Sequence, residues 1–236
     1  MNPAPRLRTA ERAFLFAYEV VGLLAAGVCV AAGTIGRATG NEWMMRLGER
    51  AGRYDGPAFV AGGGPVIWLH AASVGEVRAA EPLLAALRSR RRDARFILTC
   101  QTATGLALAA GLGAQETRYF PLDCRFAVRR FLSRFNPSLF LFVEAEIWPR
   151  LLLELSAAGV PSAMVSARVS EASFRRYRRV RGLFEPALAT LACVCARDDA
   201  SLRRLLELGA PVARCHVCGD VKLDALDEAA VERTPN

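Results

Sequence analysis

The sequence predicts an α/β fold, a parallel sheet with helices on both faces, preceded by an apolar N-terminal helix. Three observations carry this. From Pro65 onward, short apolar runs alternate with segments of helical period. The run 139–143 (Leu-Phe-Leu-Phe-Val) is apolar throughout, as in a strand buried on both faces. Residues 13–33 are an apolar run broken only by Glu19.

The elements follow in order. The run 13–33, bracketed by Arg6, Arg8 and Arg12 before and Arg37 after, is long enough to cross a bilayer. A signal peptide competes for the same pattern, but the length of the run and its carboxylate argue against cleavage. Arg46, Arg50 and Arg53 continue the basic character, as on a membrane-facing surface. A membrane-attached helix over residues 1–36, spanning or interfacial, is the expectation. Strands follow at 66–70, 95–100, 117–120, 139–143 and 162–166, with helices at 75–90, 104–111, 125–135 and 149–158 between them. Residues 37–218 thus form the main domain, and 219–236 the start of a linker or second domain.

The chain is 53% hydrophobic and 23% charged over 236 residues, which excludes a disordered chain, a coiled coil and a disulfide miniprotein. A formal charge of +8 favours an acidic partner: phosphate, nucleic acid or an anionic membrane. All but one of the 31 basic residues are arginine, so the lone Lys222 marks a place where a compact ammonium is used. An odd count of seven cysteines favours reduced thiols. Cys193-x-Cys195 and Cys215-His216-x-Cys218 have the look of zinc ligands, yet both pairs fall on short strands, at 190–196 and 214–219, where small buried thiols are the simpler reading.

In a parallel sheet, ligands sit at the carboxyl ends of the strands, so chemistry is sought there. Ser73-Val74-Gly75-Glu76 follows the first strand. It reads equally as a capping box and as a cleft carrying a general base, Glu76, with Gly75 letting a ligand reach the backbone. Glu144-Ala145-Glu146 ends the fourth strand, and an acid there is paired or functional. Arg168, Arg175, Arg176, Arg178, Arg179 and Arg181 are either a solvated helix face or a reader of phosphates. With only Phe174 and Tyr177 to stack on bases, the cluster argues against nucleic acid.

Trp68-Leu69-His70-Ala71-Ala72-Ser73-Val74-Gly75-Glu76, Thr102-Ala103-Thr104-Gly105, Pro121-Leu122-Asp123 and Glu144-Ala145-Glu146-Ile147-Trp148-Pro149 resemble, in this order, the signatures of the 3-deoxy-D-manno-octulosonic acid (Kdo) transferases. Ser166-Ala167-Arg168-Val169-Ser170 and Gly219-Asp220-Val221-Lys222-Leu223-Asp224 extend the match to residues 10–225.

The resemblance implies a GT-B glycosyltransferase of two Rossmann-like domains, of which this chain supplies the acceptor-binding half. It implies CMP-Kdo as donor, a lipid A precursor as acceptor, inverting transfer without metal or cofactor, and an inner-membrane enzyme facing the cytoplasm. By the same resemblance Glu76 is the catalytic base and Glu144 and Lys222 stabilise the transition state. Ser73, Gly75, Thr104, Arg168, Arg175 and Arg176 are expected to bind substrate, and a donor domain, encoded with this one or separately, to complete an otherwise inactive half. Ala145, Arg150 and the Asp220-Val221-Lys222-Leu223-Asp224 spelling depart from the usual family residues and leave acceptor detail open. The alternative is a membrane-tethered Rossmann-like binding or regulatory module without catalysis.

Overall fold

The computed structural model describes residues 8–55, 63–144 and 146–222. Ala145, Leu223, Asp224 and most of the expected 219–236 segment lie outside them. Seven strands form one parallel sheet in the order β3-β2-β1-β4-β5-β6-β7. The chain enters through α1 (Thr9–Thr39) and α2 (Glu42–Arg50), the second not anticipated as an element. It then runs β1 (Val66–His70), α3 (Val74–Arg90), β2 (Arg95–Cys100), α4 (Ala103–Ala110), β3 (Glu116–Tyr119), α5 (Arg125–Phe135), β4 (Leu139–Val143) and α6 (Pro149–Ala157). The last part is β5 (Ser162–Ala167), α7 (Glu171–Arg179), α8 (Arg181–Leu188), β6 (Cys193–Ala196), α9 (Asp199–Glu207) and β7 (Cys215–Val217).

Period-two alternation sorts the sheet residues between two cores. Val66 and Trp68 of β1 face one side with Phe120, Phe131, Phe140 and Leu151. Ile67 and Leu69 face the other with Val77, Leu84 and Leu106 from α3 and α4. Local signals set the helix starts: Ser73 caps α3, Thr102 caps α4, and Pro149 opens α6, where its missing N–H costs nothing. The strand order reverses between β1 and β4, creating the crevice where such sheets bind ligands.

Helix α1 does not stand apart from this domain, and it continues through Thr39. One face carries small residues. A Cβ on Gly33 would meet the Gly48 Cα at 2.7 Å, and one on Gly36 would meet the Met45 nitrogen at 2.6 Å, so only glycine lets α1 and α2 approach this closely. Ala26 of this face is buried with Ala51, Cys124 and Ala127. Polar ties follow the same face. The Tyr18 hydroxyl donates to Asp123 at 2.7 Å. Glu19 accepts from the Arg125 backbone at 2.8 Å and from the Arg150 guanidinium at 2.6 Å. The opposite face exposes Phe16, Val21, Leu24 and Val28.

Of the expected membrane-facing row, Arg46 stays half-exposed beside Glu42, while the other two differ. Arg50 turns inward to Gln101, and Arg53 reaches back to the Val30 carbonyl and the Thr34 hydroxyl. Both have carbonyl or amide acceptors within reach inside the fold, which outweigh a diffuse surface attraction. The cysteines are all free thiols. Cys193 and Cys195 share one face with sulfurs 3.8 Å apart, but they are half-buried, because β6 lies near the sheet edge.

Asp123 is buried and accepts from Tyr18 and from the backbone N–H groups of Arg150 and Leu151. Asp123→Ala is expected to cost roughly 2–3 kcal/mol, from a lost helix-terminus acceptor and an unpaired Tyr18 hydroxyl. Burial outweighs these bonds and the nearby Arg150, and raises the Asp123 carboxyl to about 6. Its folded-state value thus exceeds the unfolded one, so the stability it contributes is full below about pH 4 and lost as pH rises through 6. Measured against Asp123→Asn, which has no proton to lose, the melting temperature of the native chain should decline between pH 4 and 7. A difference independent of pH would show that Asp123 is ionised throughout.

Candidate active site

The turn after β1 holds the first carboxylate. Ser73 sits in extended conformation before α3, and its hydroxyl accepts from the Glu76 N–H at 3.4 Å. Glu76 returns its carboxylate to the Ala72 N–H at 2.8 Å and to the Ser73 hydroxyl at 3.1 Å. Only the Ser73 half of the capping box forms: the Glu76 carboxylate goes to the Ala72 N–H, one residue before the cap, and is held back over the strand end instead of along the helix. The space over Gly75 is open, with Ser73 Oγ the nearest atom to a Cβ built there, at 4.0 Å. The start of α4 closes one side. A Cβ on Gly105 would lie 3.4 Å from the Ser73 carbonyl carbon, which brings Thr102 and Thr104 beside the turn.

The second carboxylate depends on backbone strain. Glu144 adopts φ +64° while its N–H stays in the ladder, donating to the Val165 carbonyl at 3.0 Å. Ser166, on the adjacent strand, adopts φ +52°, where the β5–β6 register shifts. Neither is glycine, and such conformations persist only where surrounding contacts hold them. Ser166 shows what it gains. Its hydroxyl donates to Asp220 at 3.0 Å and accepts from the Val221 N–H at 3.4 Å. Asp220 in turn accepts from the Lys222 N–H at 3.0 Å and from Arg197 at 3.3 Å. The docked segment delivers the Lys222 ammonium to the Glu144 carboxylate as an ion pair. The partner of Glu144 is thus Lys222.

A third acid completes the group. Glu146 Oε2 lies 3.1 Å from His70 Nε2, the last residue of β1. His70 is buried, which holds its pKa below the ordinary histidine value and keeps the ring neutral against the opposing pull of Glu146. Nδ1 lies 3.0 Å from the Thr99 hydroxyl and 2.9 Å from its carbonyl. Nε2 thus faces a carboxylate and Nδ1 faces both oxygens of Thr99, whose hydroxyl oxygen accepts the Trp68 indole N–H at 2.8 Å. The His70 ring also packs, tilted by 31°, against Phe120, with 3.9 Å between centroids. The sequence reading gave His70 no role. The available signal was a histidine closing an otherwise apolar strand.

Burial raises the Glu76 carboxyl above the usual glutamate range, and the charges of Glu144 and Glu146 raise it further against the two hydrogen bonds. A half-buried acid with an elevated pKa, facing open space at a switch point, is suited to accept a proton.

Glu76, Glu144 and Lys222 converge at this crevice, with Ser73 and Gly75 at its edge and Thr104 on the neighbouring helix. Arg168, Arg175 and Arg176 do not join them. All three are exposed. Arg175 pairs with Glu171 at 3.8 Å and Arg176 bonds Ser173 at 3.2 Å. Helix α7 nonetheless begins at the carboxyl end of β5, and Tyr177 on it lies within electrostatic reach of Glu146.

Residues 45–225 match the family described as 3-deoxy-D-manno-octulosonic-acid transferase (Kdo transferase). The chain belongs to the Kdo transferase family. It is 40% identical over 201 residues to the 3-deoxy-D-manno-octulosonic acid transferase of Bordetella pertussis, covering 82% of this chain and 46% of that one. The Haemophilus influenzae transferase is 32% identical, with 78% and 43% covered. The chain thus spans less than half the length of these Kdo transferases. Among solved structures, UDP-GlcNAc 2-epimerase from Neisseria meningitidis superposes with a TM-score of 0.53 at 15% identity, over 71% of this chain and 50% of its own. A putative epimerase from Listeria monocytogenes gives 0.54 at 14%, over 70% and 47%. These two share the fold.

Because Glu146 raises the Glu76 carboxyl, Glu146→Gln should move the Glu76 titration to lower pH. Carbon-13 NMR of the glutamate carboxyls can follow it in both chains. An unchanged Glu76 midpoint would remove Glu146 from its electrostatic environment.

Proposed function

We propose that this chain is the acceptor-binding half of a transferase that moves Kdo from CMP-Kdo to a lipid A precursor in lipopolysaccharide core biosynthesis. The observation that carries the proposal is the convergence of Glu76, Glu144 and Lys222, from three separate segments, at the switch point of the sheet. In this reading the acceptor hydroxyl approaches over the open Gly75 backbone and gives its proton to Glu76. The alkoxide attacks the anomeric carbon of Kdo, CMP departs from the opposite face, and configuration inverts. No metal is assigned a part. Lys222 is a compact, mobile cation held at the crevice by Glu144, suited to the carboxylate of the sugar or the departing phosphate. The donor domain is supplied outside these residues. Arg168, Arg175 and Arg176, exposed beside the crevice on the α7 side, would meet the phosphates of the acceptor.

A lipid acceptor places the crevice near a membrane, in this reading the cytoplasmic face of the inner membrane, and α1 supports an interfacial arrangement there. Helix α1 is apolar enough to cross a bilayer by composition. Its inner face, however, is tied to the domain at Tyr18, Glu19, Gly22 and Gly33. Sinking it across the hydrocarbon would drag charged surface with it, at several kcal/mol per unpaired charge. Lying in the interface, it buries only the outward face, where Phe16, Val21, Leu24 and Val28 are each about 70% exposed. Each contributes roughly 1–2 kcal/mol of membrane affinity.

In a complete enzyme, Glu76→Gln should lower kcat roughly 100-fold or more with little change in melting temperature. Ser73→Ala, which removes the N-cap hydroxyl and keeps the carboxylate, should cost about 1 kcal/mol of stability and retain most activity. A near-normal rate for Glu76→Gln would take Glu76 out of the mechanism.

Membrane attachment is better tested by substitution than by deletion, since removing α1 would uncover Cys124 and Ala127. Val21→Glu combined with Leu24→Glu should weaken vesicle binding at least about tenfold, read by flotation, with the fold intact by circular dichroism. Unaltered flotation would place the attachment elsewhere.

A further inference from the structure

His70 and Glu146 meet at the crevice, and proton transfer to Glu76 makes no use of either. His70 closes β1, in register with Thr99 of β2 on one side and Phe142 of β4 on the other. Its side chain is 1% exposed, so each ring nitrogen needs a polar partner within the fold. Thr99 supplies one inside the sheet, at Nδ1, and is itself tied to the Trp68 indole. The other, at Nε2, is Glu146 Oε2 at 3.1 Å, from the loop that leads into α6. Phe120 packs on the His70 ring and, with 5.1 Å between centroids, on Trp148 of the same loop. With both nitrogens engaged and Phe120 against it, the ring is held in one orientation. Glu146 is thereby anchored to the sheet and not only to its own loop.

The two ends of this contact differ. His70 is enclosed, whereas 35% of the Glu146 side chain is exposed. One contact at Oε2 engages one of roughly four acceptor positions on a carboxylate. A ring kept neutral by burial does not cancel the charge. That charge reaches Glu76 and raises its carboxyl, so the two acids are neighbours at the crevice. An ionised carboxylate only accepts hydrogen bonds. The carboxylate of the transferred sugar and the departing phosphate are anions that Glu146 would repel. Hydroxyl groups are the remaining donors, and those next to the attacking oxygen belong to the acceptor sugar. A hydroxyl bonded to a carboxylate makes a charge-assisted contact, roughly twice as strong as a neutral one.

We propose that Glu146 is a binding residue for the acceptor sugar, accepting from a hydroxyl beside the one that Glu76 deprotonates, and that His70 is the positioning residue that holds it there. The proposal rests on the reading of this chain as an acceptor-binding half. Glu76 after β1 and Glu146 after β4 would then grip neighbouring oxygens of one sugar from the two sides of the switch point.

The test uses the whole 236-residue chain and a deacylated, water-soluble lipid A precursor, so that membrane affinity of α1 does not enter. Calorimetric titration reads affinity, and circular dichroism checks the fold of each variant. Glu146→Ala should bind the probe roughly tenfold or more weakly. Glu81→Ala, which removes an exposed carboxylate from α3, should change affinity less than about twofold. Two polar replacements divide the work of the buried ring. His70→Asn keeps a nitrogen near the Nδ1 position and loses the reach to Glu146, and should bind about as weakly as Glu146→Ala. His70→Gln keeps a nitrogen near the Nε2 position and should stay within about threefold of the native chain. In the Glu146→Ala background, His70→Asn should add less than about twofold, because it acts through the side chain already removed. A His70 that serves the fold alone would shift affinity equally in both backgrounds, and that result overturns its positioning role. Glu146→Ala with native affinity, beside a native chain that binds, would overturn the assignment of Glu146 and leave the acceptor reading standing. A native chain that does not bind the probe would overturn the acceptor reading and this proposal with it.

Discussion

Asp123 is the contact on which the arrangement of this domain turns. A carboxylate there is costly to bury, and three donors justify its place: the Tyr18 hydroxyl of α1 and the first two free N–H groups of α6. The same residue lies in the loop leading from β3 to α5. One side chain thus fixes the N-terminal helix, the β3–α5 connection and the helix that follows the Glu144–Glu146 loop. Glu19 and Arg150 reinforce the junction with a second, charged tie at 2.6 Å. Moving α1 would disturb α6, and α6 anchors one side of the crevice.

At the crevice, electrostatics and strain work together. Three carboxylates at one strand-end cluster repel, and each has a separate answer. Glu144 takes the ammonium of Lys222, Glu146 takes the His70 ring, and Glu76 keeps two neutral donors. Glu76 keeps only neutral donors, and burial, with the charges of Glu144 and Glu146, raises its carboxyl and makes it the member fit to take a proton. Two left-handed residues, Glu144 and Ser166, hold the arrangement. Strain of order 1–3 kcal/mol at each is offset by the docking of Asp220 and Lys222.

The N-terminal helix divides its two faces between different partners. Small residues, joined by Leu15 and Tyr18, pack on the domain, and Phe16, Val21, Leu24 and Val28 turn outward. In an ordinary soluble helix most large side chains would face the core. This distribution gives the interfacial reading its weight.

The sequence by itself determined the strands and most helices. Continuous apolar runs, N-cap residues and Pro149 are local signals, and local signals survive without tertiary knowledge. It also carried Glu76, Glu144 and Lys222 as separate candidates through ordered motifs. Only the tertiary structure decided that Lys222 pairs with Glu144, because the contact spans 78 positions of the chain and rests on the φ of Ser166. The His70–Glu146 contact was equally out of reach. It joins side chains whose sequence neighbourhoods look like ordinary core or loop, and only crossover connections bring them together. The outward face of α1 was hidden for the same reason. Composition shows that a helix is apolar, while which side meets protein depends on where Gly33 finds Gly48.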